Sequence, residues 1–278
     1  MRISVLSGKG GTGKTLIATN LAYTINYCIY ADCDVEEPNG CLFINPNFVA
    51  VEEVIVNYPE FDAQKCVGCR ECVNFCKFNA LAFIKDKIMI FKELCHSCGG
   101  CIKVCKQEAL KEENRVIGHV KYGRRKSVYT RSGQMNIGEV SGVPIIKHIM
   151  NNIPKYKTSI IDCPPGSSCL VMESIKDSDF CVLVTEPTAF GVHNLNMIYK
   201  LVNEFKIPCG VVINKWIEDN FIVEKYCNEN NIPVLIKIPF DKDIALESSN
   251  GNLISKNDNY KYLFEELFEK ILKEHNER

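Results

Sequence analysis

Near the start of the chain, Gly8-Lys9-Gly10-Gly11-Thr12-Gly13-Lys14-Thr15 constrains the local fold more tightly than any other stretch. Residues 1–7 read as a short buried strand and residues 16–25 as a helix, so the glycines sit where one becomes the other. Gly8, Gly10, Gly11 and Gly13 let the backbone turn its N–H groups inward, and the helix N-terminus adds partial positive charge at the same place. The segment is therefore expected to cradle a phosphate. An ordinary glycine-rich turn has no need of Lys14 followed by the Thr15 hydroxyl, the pair that meets β- and γ-phosphates and their magnesium ion.

Apolar, β-branched runs recur along the rest of the chain. One ends at Ala31-Asp32-Cys33-Asp34, another at Asp162-Cys163-Pro164-Pro165-Gly166, and further runs cover 181–185, 210–213 and 234–238. Helical patterns lie between them near 142–153, 189–205, 220–230 and 258–275. The alternation predicts an α/β fold, a parallel sheet with helices on both faces, with carboxylates at the carboxyl ends of its strands where ligands collect.

The cysteines form a second, separate signal. Cys66, Cys69, Cys72 and Cys76 are repeated as Cys95, Cys98, Cys101 and Cys105, and Asn79-Ala80-Leu81 is echoed by Glu108-Ala109-Leu110, an internal duplication. In this spacing three thiolates wrap one iron-sulfur cube and the fourth turns to the other cube. Cys66, Cys69, Cys72 and Cys105 are assigned to one 4Fe-4S cluster, and Cys95, Cys98, Cys101 and Cys76 to the second. Zinc is the competing occupant of paired cysteines, and the doubled run favours iron. Between the repeats, Ala82-Phe83-Ile84 and Lys87 to Phe91 flank Lys85-Asp86 and predict a hairpin that covers a cluster face.

Lys9 is not required by a generic phosphate loop. With it, the segment resembles the deviant phosphate-loop ATPases, the family of MinD, ParA, Mrp and the nitrogenase iron protein. The resemblance implies ATP and Mg2+ as ligands, a homodimer that closes on ATP, and a Lys9 that completes the partner's site. It implies that Asp34 orients the attacking water, Asp32 supports the metal shell and Asp162 holds magnesium through water. Asn214, followed by Lys215, resembles the adenine-recognition turn, and Pro239-Phe240-Asp241 the loop that covers the nucleotide. The whole chain, including Asp32 to Asn39, is similar to members of this family that carry an inserted bacterial two-cluster ferredoxin-like α+β domain. The resemblance places the ATPase domain at 1–61 and 116–278 and the insert at 62–115. Lys77 and Lys106 stand where bacterial ferredoxins usually carry proline; they either raise a cluster's potential or are simply solvated.

A chain of 278 residues with 46% hydrophobic content can bury one α/β core and a small insert. The insert is too small for a large apolar core and is expected to depend on its clusters for folding. Sixteen cysteines, half of them in cluster spacing, with no apolar leader ahead of the loop, lead us to expect reducing cytoplasm rather than a disulfide-rich exterior. A net charge of −1 offers no field for nucleic acid, and the basic tract at 121–126 reads as a solvated ridge. The acidic polar face of the C-terminal helix argues for packing on the domain rather than on a membrane. Cys163 and Cys169, close to Asp162, read either as inert core residues or as thiols that a dimer brings together. Together these features predict a dimeric ATPase that couples nucleotide state to electron transfer to a redox partner. The alternatives are an Mrp-like carrier that passes clusters to an apo-protein, and a nucleotide- and redox-dependent interaction protein.

Overall fold

The computed structural model describes residues 1–25 and 27–277. Its first half contains β1 (Arg2–Leu6), α1 (Lys14–Thr24), β2 (Ile29–Asp32), α2 (Gly40–Ile44), β3 (Asn47–Phe61), α3 (Glu71–Phe75), β4 (Leu81–Ile84) and β5 (Lys87–Ile90). After these come α4 (Gly100–Val104), β6 (Leu110–Arg125), β7 (Val128–Met135), α5 (Val143–Asn151), β8 (Ser159–Asp162) and α6 (Cys169–Ile175). The chain finishes with β9 (Phe180–Thr185), α7 (Ala189–Glu204), β10 (Cys209–Trp216), α8 (Ile222–Glu229), β11 (Val234–Pro239), α9 (Lys242–Ser249) and α10 (Asp258–Asn276).

Nine strands form one sheet in the order β11-β10-β9-β1-β8-β2-β7-β6-β3. The run from β11 to β7 is parallel, as the alternating pattern predicts. The far edge is not. There β6 pairs antiparallel with both β7 and β3, so the sheet is mostly rather than wholly parallel. Both long strands escape a reading by apolar runs: β3 is exposed through most of its length, and in β6 the buried Leu110 is followed by the solvated run Lys111-Glu112-Glu113-Asn114. Residues 110–115, assigned by the sequence to the insert, are thus the first part of a sheet strand. The basic tract at 121–126 lies on β6 and its turn, where Arg124 stacks on Tyr129 and Lys126 reaches the Tyr23 hydroxyl.

Two apolar layers flank the sheet. One joins Ile145, Ile149, Val171, Leu195, Ile198 and Val223 of α5 to α8 to the strands. The other joins Ile17, Leu21, Ile244, Phe264, Leu267 and Ile271 of α1, α9 and α10 to the opposite face. The C-terminal helix lies on the domain with Leu263, Phe264, Leu267 and Ile271 buried. Among the described residues no helix is long and apolar enough to cross a membrane.

The segment between β3 and β6 is carried at the tip of their ribbon. Its small core contains Leu81, Ile88 and Leu110 with Cys72 and Cys101. The predicted hairpin is present as β4 and β5, and Lys85 and Asp86 at its turn take the positive φ that two-residue hairpins require.

Leu267 is fully buried, and removing its isobutyl group leaves a cavity as well as losing transfer free energy. Leu267→Ala is expected to lower stability by about 2–5 kcal/mol in urea unfolding, whereas Glu269→Ala on the exposed side of α10 changes it by less than about 0.5 kcal/mol.

Candidate functional site

The glycine-rich loop joins β1 to α1 as the sequence predicts, and its shape is held from beneath. Asn214 at the end of β10 is 3% exposed and its amide NH2 donates to the Thr12 carbonyl at 2.8 Å. Gly13 caps α1 with φ at 90°, and a Cβ there would lie 2.2 Å from the Asn214 amide nitrogen, so glycine is required twice over. A Cβ at Gly8 would likewise lie 2.6 Å from Asn194. The resemblance gave Asn214 to the adenine edge. In this structure its donor is committed to the loop, although the side chain still lines a cavity beside Gly11, Leu16, Phe240 and Ile244.

The acids converge through strand register. Across β1, β8 and β2, Val5 pairs with Asp162 and Asp162 with Asp32. Lys14 reaches into this group: its ammonium bonds Asp162 Oδ1 and lies 3.9 Å from Asp34 Oδ2. Burial opposes the lysine's charge, but Asp162, Asp34 and Asp32 together outweigh it and raise its pKa above the ordinary value. The second Asp162 oxygen accepts from the Tyr30 hydroxyl at 2.8 Å. Tyr30 is fully buried, and a Cβ on Gly40 would collide with its hydroxyl. Asp32 is fully buried and accepts from Gly40 N at 3.0 Å and Asp34 N at 3.3 Å. Burial and the adjacent Asp162 push its pKa well up. Asp34 is lifted to about 6, chiefly by burial against the pull of Lys14.

Lys9 does not face this cluster. Its ammonium lies 2.9 Å from Glu186, whose other oxygen takes Lys215 at 2.6 Å, and Lys215 also donates to Gly11 O at 3.2 Å. Burial pushes Glu186 up, but the two ammoniums hold it below the usual carboxylate range. Glu186 and Tyr30 were both missed by sequence reasoning. Glu186 sits in a turn with no motif of its own, and Tyr30 reads as one more apolar strand residue before Asp32.

A loop of this shape under a mostly parallel sheet defines a fold with known relatives. The family described as the CobQ/CobB/MinD/ParA nucleotide binding domain matches residues 3–254. The chain belongs to this family. It is similar to an uncharacterized protein of Methanocaldococcus jannaschii, 32% identical across 98% of this chain and 96% of the relative. Among solved structures it resembles the septum site-determining protein MinD from Pyrococcus horikoshii, complexed with Mg-ADP, at a TM-score of 0.62 and 18% identity over 97% and 95% of the two chains. The cell division ATPase MinD of Pyrococcus furiosus aligns at 0.61 with 18% identity over 98% of each chain. At such identities the likeness establishes the α/β P-loop fold.

This member of the CobQ/CobB/MinD/ParA family also gathers its repeated cysteines. Cys66, Cys69, Cys72 and Cys105 line one cavity, and Cys76, Cys95, Cys98 and Cys101 line another. The two halves repeat in backbone as well as sequence, with positive φ at Gly68 and Ser97, at Arg70 and Gly99, and at Asn79 and Glu108. Gly68 N and Ala109 N point at Cys66 Sγ and Cys105 Sγ, at 3.5 and 3.3 Å. Among the described residues no three His, Cys, Asp or Glu side chains converge closely enough for a single metal ion. Burial pushes Cys101 up to about 11, so a cationic occupant would have to draw off its proton. Lys77 and Lys106 are both exposed, and Lys106 lies 3.5 Å from Glu71. Cys163 is fully buried, whereas Cys169, the first residue of α6, is exposed.

Because Asp34 titrates near 6 when folded against 3.8 as its ordinary value, folding costs free energy at this group as pH rises through that window, and the full cost is present above it. Asp34→Asn is expected to raise stability of the nucleotide-free, magnesium-free protein at pH 7.5 by about 1–2 kcal/mol after discounting for solvent screening. The gain should fade toward pH 4. Chemical denaturation at the two pH values measures it, and an equal gain at both would contradict the assignment.

Proposed function

We propose that this protein is a dimeric ATPase whose nucleotide state is coupled to electron carriage by two 4Fe-4S clusters. The observation that carries the reading is the joining of two four-cysteine cavities to a phosphate loop through one continuous ribbon, β3 and β6, of the same sheet.

In the nucleotide half, the loop amides and Lys14 take the phosphates. With Lys14 drawn from Asp162 to a phosphate, Asp162 and Thr15 would be the residues to hold magnesium. Magnesium supplies charge neutralisation between the phosphates. Asp34 is half-buried, ionised at neutral pH and close to Lys14, the place from which a water can be aimed at the γ-phosphate. Lys9 leaves Glu186 to reach the partner's nucleotide, so hydrolysis requires two closed subunits. Asn214 supports the loop from below, and the cavity that it shares with Phe240 and Ile244 suits the base.

In the cysteine unit, Cys66, Cys69, Cys72 and Cys105 would hold one cluster, and Cys76, Cys95, Cys98 and Cys101 the other. When bound, the clusters supply one-electron storage. The apolar side chains of Leu81, Ile88 and Leu110, packed with Cys72 and Cys101, would help to keep water from the clusters. The unit's electrons would pass to a redox partner. Exposure of Cys69 and Cys98 also suits the second reading, an ATP-dependent cluster carrier, since a cluster must be reachable to leave.

Lys9→Ala is expected to leave nucleotide affinity within about threefold while depressing turnover roughly 1,000-fold, and Lys14→Ala to weaken both. Unimpaired hydrolysis in Lys9→Ala would refute its role across the dimer. Anaerobically purified protein should hold about eight irons per chain, falling to about four in Cys72→Ser and in Cys105→Ser and unchanged in Cys41→Ser. Zinc in place of iron, or stoichiometric iron transfer to an apo-acceptor on adding ATP, would sink the electron-transfer reading.

A further inference from the structure

We propose that Arg115 is the joint through which the state of the nucleotide loop reaches the cysteine unit; this rests on the function proposed above. The guanidinium meets three parts of the molecule at once. Its Nε donates to Glu139 Oε1 at 3.2 Å and its Nη2 to the other oxygen of the same carboxylate. Its Nη1 donates to the Lys92 carbonyl at 2.7 Å. Arg115 lies on the ribbon, Glu139 in the loop between β7 and α5, and Lys92 at the turn that leads into Cys95. That same Lys92 carbonyl accepts from Cys95 N at 3.2 Å, so a shift of the guanidinium moves the backbone that sets a cluster cysteine.

The other end of the connection begins at the acids. Val35 directly follows Asp34, is fully buried, and its carbonyl accepts from Met135 N at 2.8 Å. A Cβ on Gly142 would lie 2.3 Å from the Val35 side chain and one on Gly133 2.8 Å, so Val35 is seated tightly between the end of β7 and the start of α5. A close-packed seat transmits a displacement rather than absorbing it. Beyond Met135, Asn136 is pinned to β6 by its N–H on Ile117 O at 2.9 Å and its amide on Val116 O at 3.1 Å. Glu139 N in turn donates to Asn136 O at 3.3 Å. The sequence Asp34, Val35, Met135, Asn136, Glu139, Arg115, Lys92, Cys95 is therefore continuous through covalent bonds, packing and hydrogen bonds.

The chemistry of the joint suits this use. A forked guanidinium on a carboxylate fixes orientation as well as distance, which a lysine ammonium would not. Both partners are largely withdrawn from solvent, with side chains 19% and 11% exposed. Alongside runs a cleft of about 750 Å³ lined by Cys95, Cys98, Arg115, Glu139, Lys147 and Cys169, which leaves room for the cysteine unit to move relative to α5 and α6. The polar contacts of Arg115 run to Glu139 and Lys92, away from the phosphate loop, so the joint can be cut without dismantling the nucleotide site.

The test is hydrogen exchange by mass spectrometry on the full, anaerobically purified chain, with and without magnesium and AMPPNP. In the wild type, peptides covering 92–99 should change exchange rate by about threefold or more on nucleotide binding. In Arg115→Gln the response at 92–99 should vanish while 32–40 still responds and AMPPNP affinity stays within about twofold. Glu139→Gln, which keeps the Arg115 contact to Lys92, should lose most of the response and serves if the first variant does not fold. A wild type silent at 92–99, or variants that retain the full response there, would overturn the proposal. Iron content of the same samples separates the two failures: protein without clusters sinks the function, whereas loaded protein that is silent at 92–99 sinks the joint alone.

Discussion

A buried ammonium among three carboxylates is the interaction on which the rest of the structure depends. Lys14 is buried beside Asp162, Asp34 and Asp32, and the excess of negative charge leaves two of those carboxyls with raised pKa values. Such a group is stable only with a cation at its centre. Whatever draws Lys14 toward a phosphate must bring another cation to the acids, which is why nucleotide and magnesium belong together at this site. The two acidic loops are also tied to each other and to the cluster, since Cys33 N bonds the Asp162 carbonyl and Asp34 N bonds the Asp32 side chain.

The sheet ties the strands that carry these acids to the cysteine unit. The phosphate loop, Asp162 and Asp32 stand on neighbouring strands in the order β1-β8-β2, and the next strands outward, β7, β6 and β3, lead directly to the cysteines. The cysteine unit is thus attached through a ribbon whose base, residues Gly118 to Arg125 of β6, hydrogen-bonds into the central sheet along β7. Its own core is small, with Leu81, Ile88 and Leu110 as its buried aliphatic side chains, so the clusters it would hold also contribute its folding energy.

Much of this was legible in the sequence, for physical reasons that differ by element. Short parallel strands buried on both faces announce themselves as apolar runs, and the glycine loop announces itself because each of its residues has a backbone or charge requirement. The cysteine repeat was legible because ligand spacing is nearly independent of context. The long strands β3 and β6 were not, since most of β3 and the first part of β6 are exposed and carry no alternation to read. Nor were Glu186, Tyr30 and Arg115. Their roles come from partners 177, 132 and 24 positions away in the chain, at Lys9, Asp162 and Glu139, a closeness that only the folded sheet creates.

Coupling between the phosphate loop and the cysteine unit is the central claim, and potentiometry followed by electron paramagnetic resonance measures it most directly. With magnesium and ATP the account predicts a change in the cluster signals and a midpoint shift on the order of 60 mV, a tenfold change in a one-electron equilibrium, with no such shift in Lys14→Ala. Identical spectra and potentials with and without nucleotide, in protein shown to bind both ATP and iron, would contradict it.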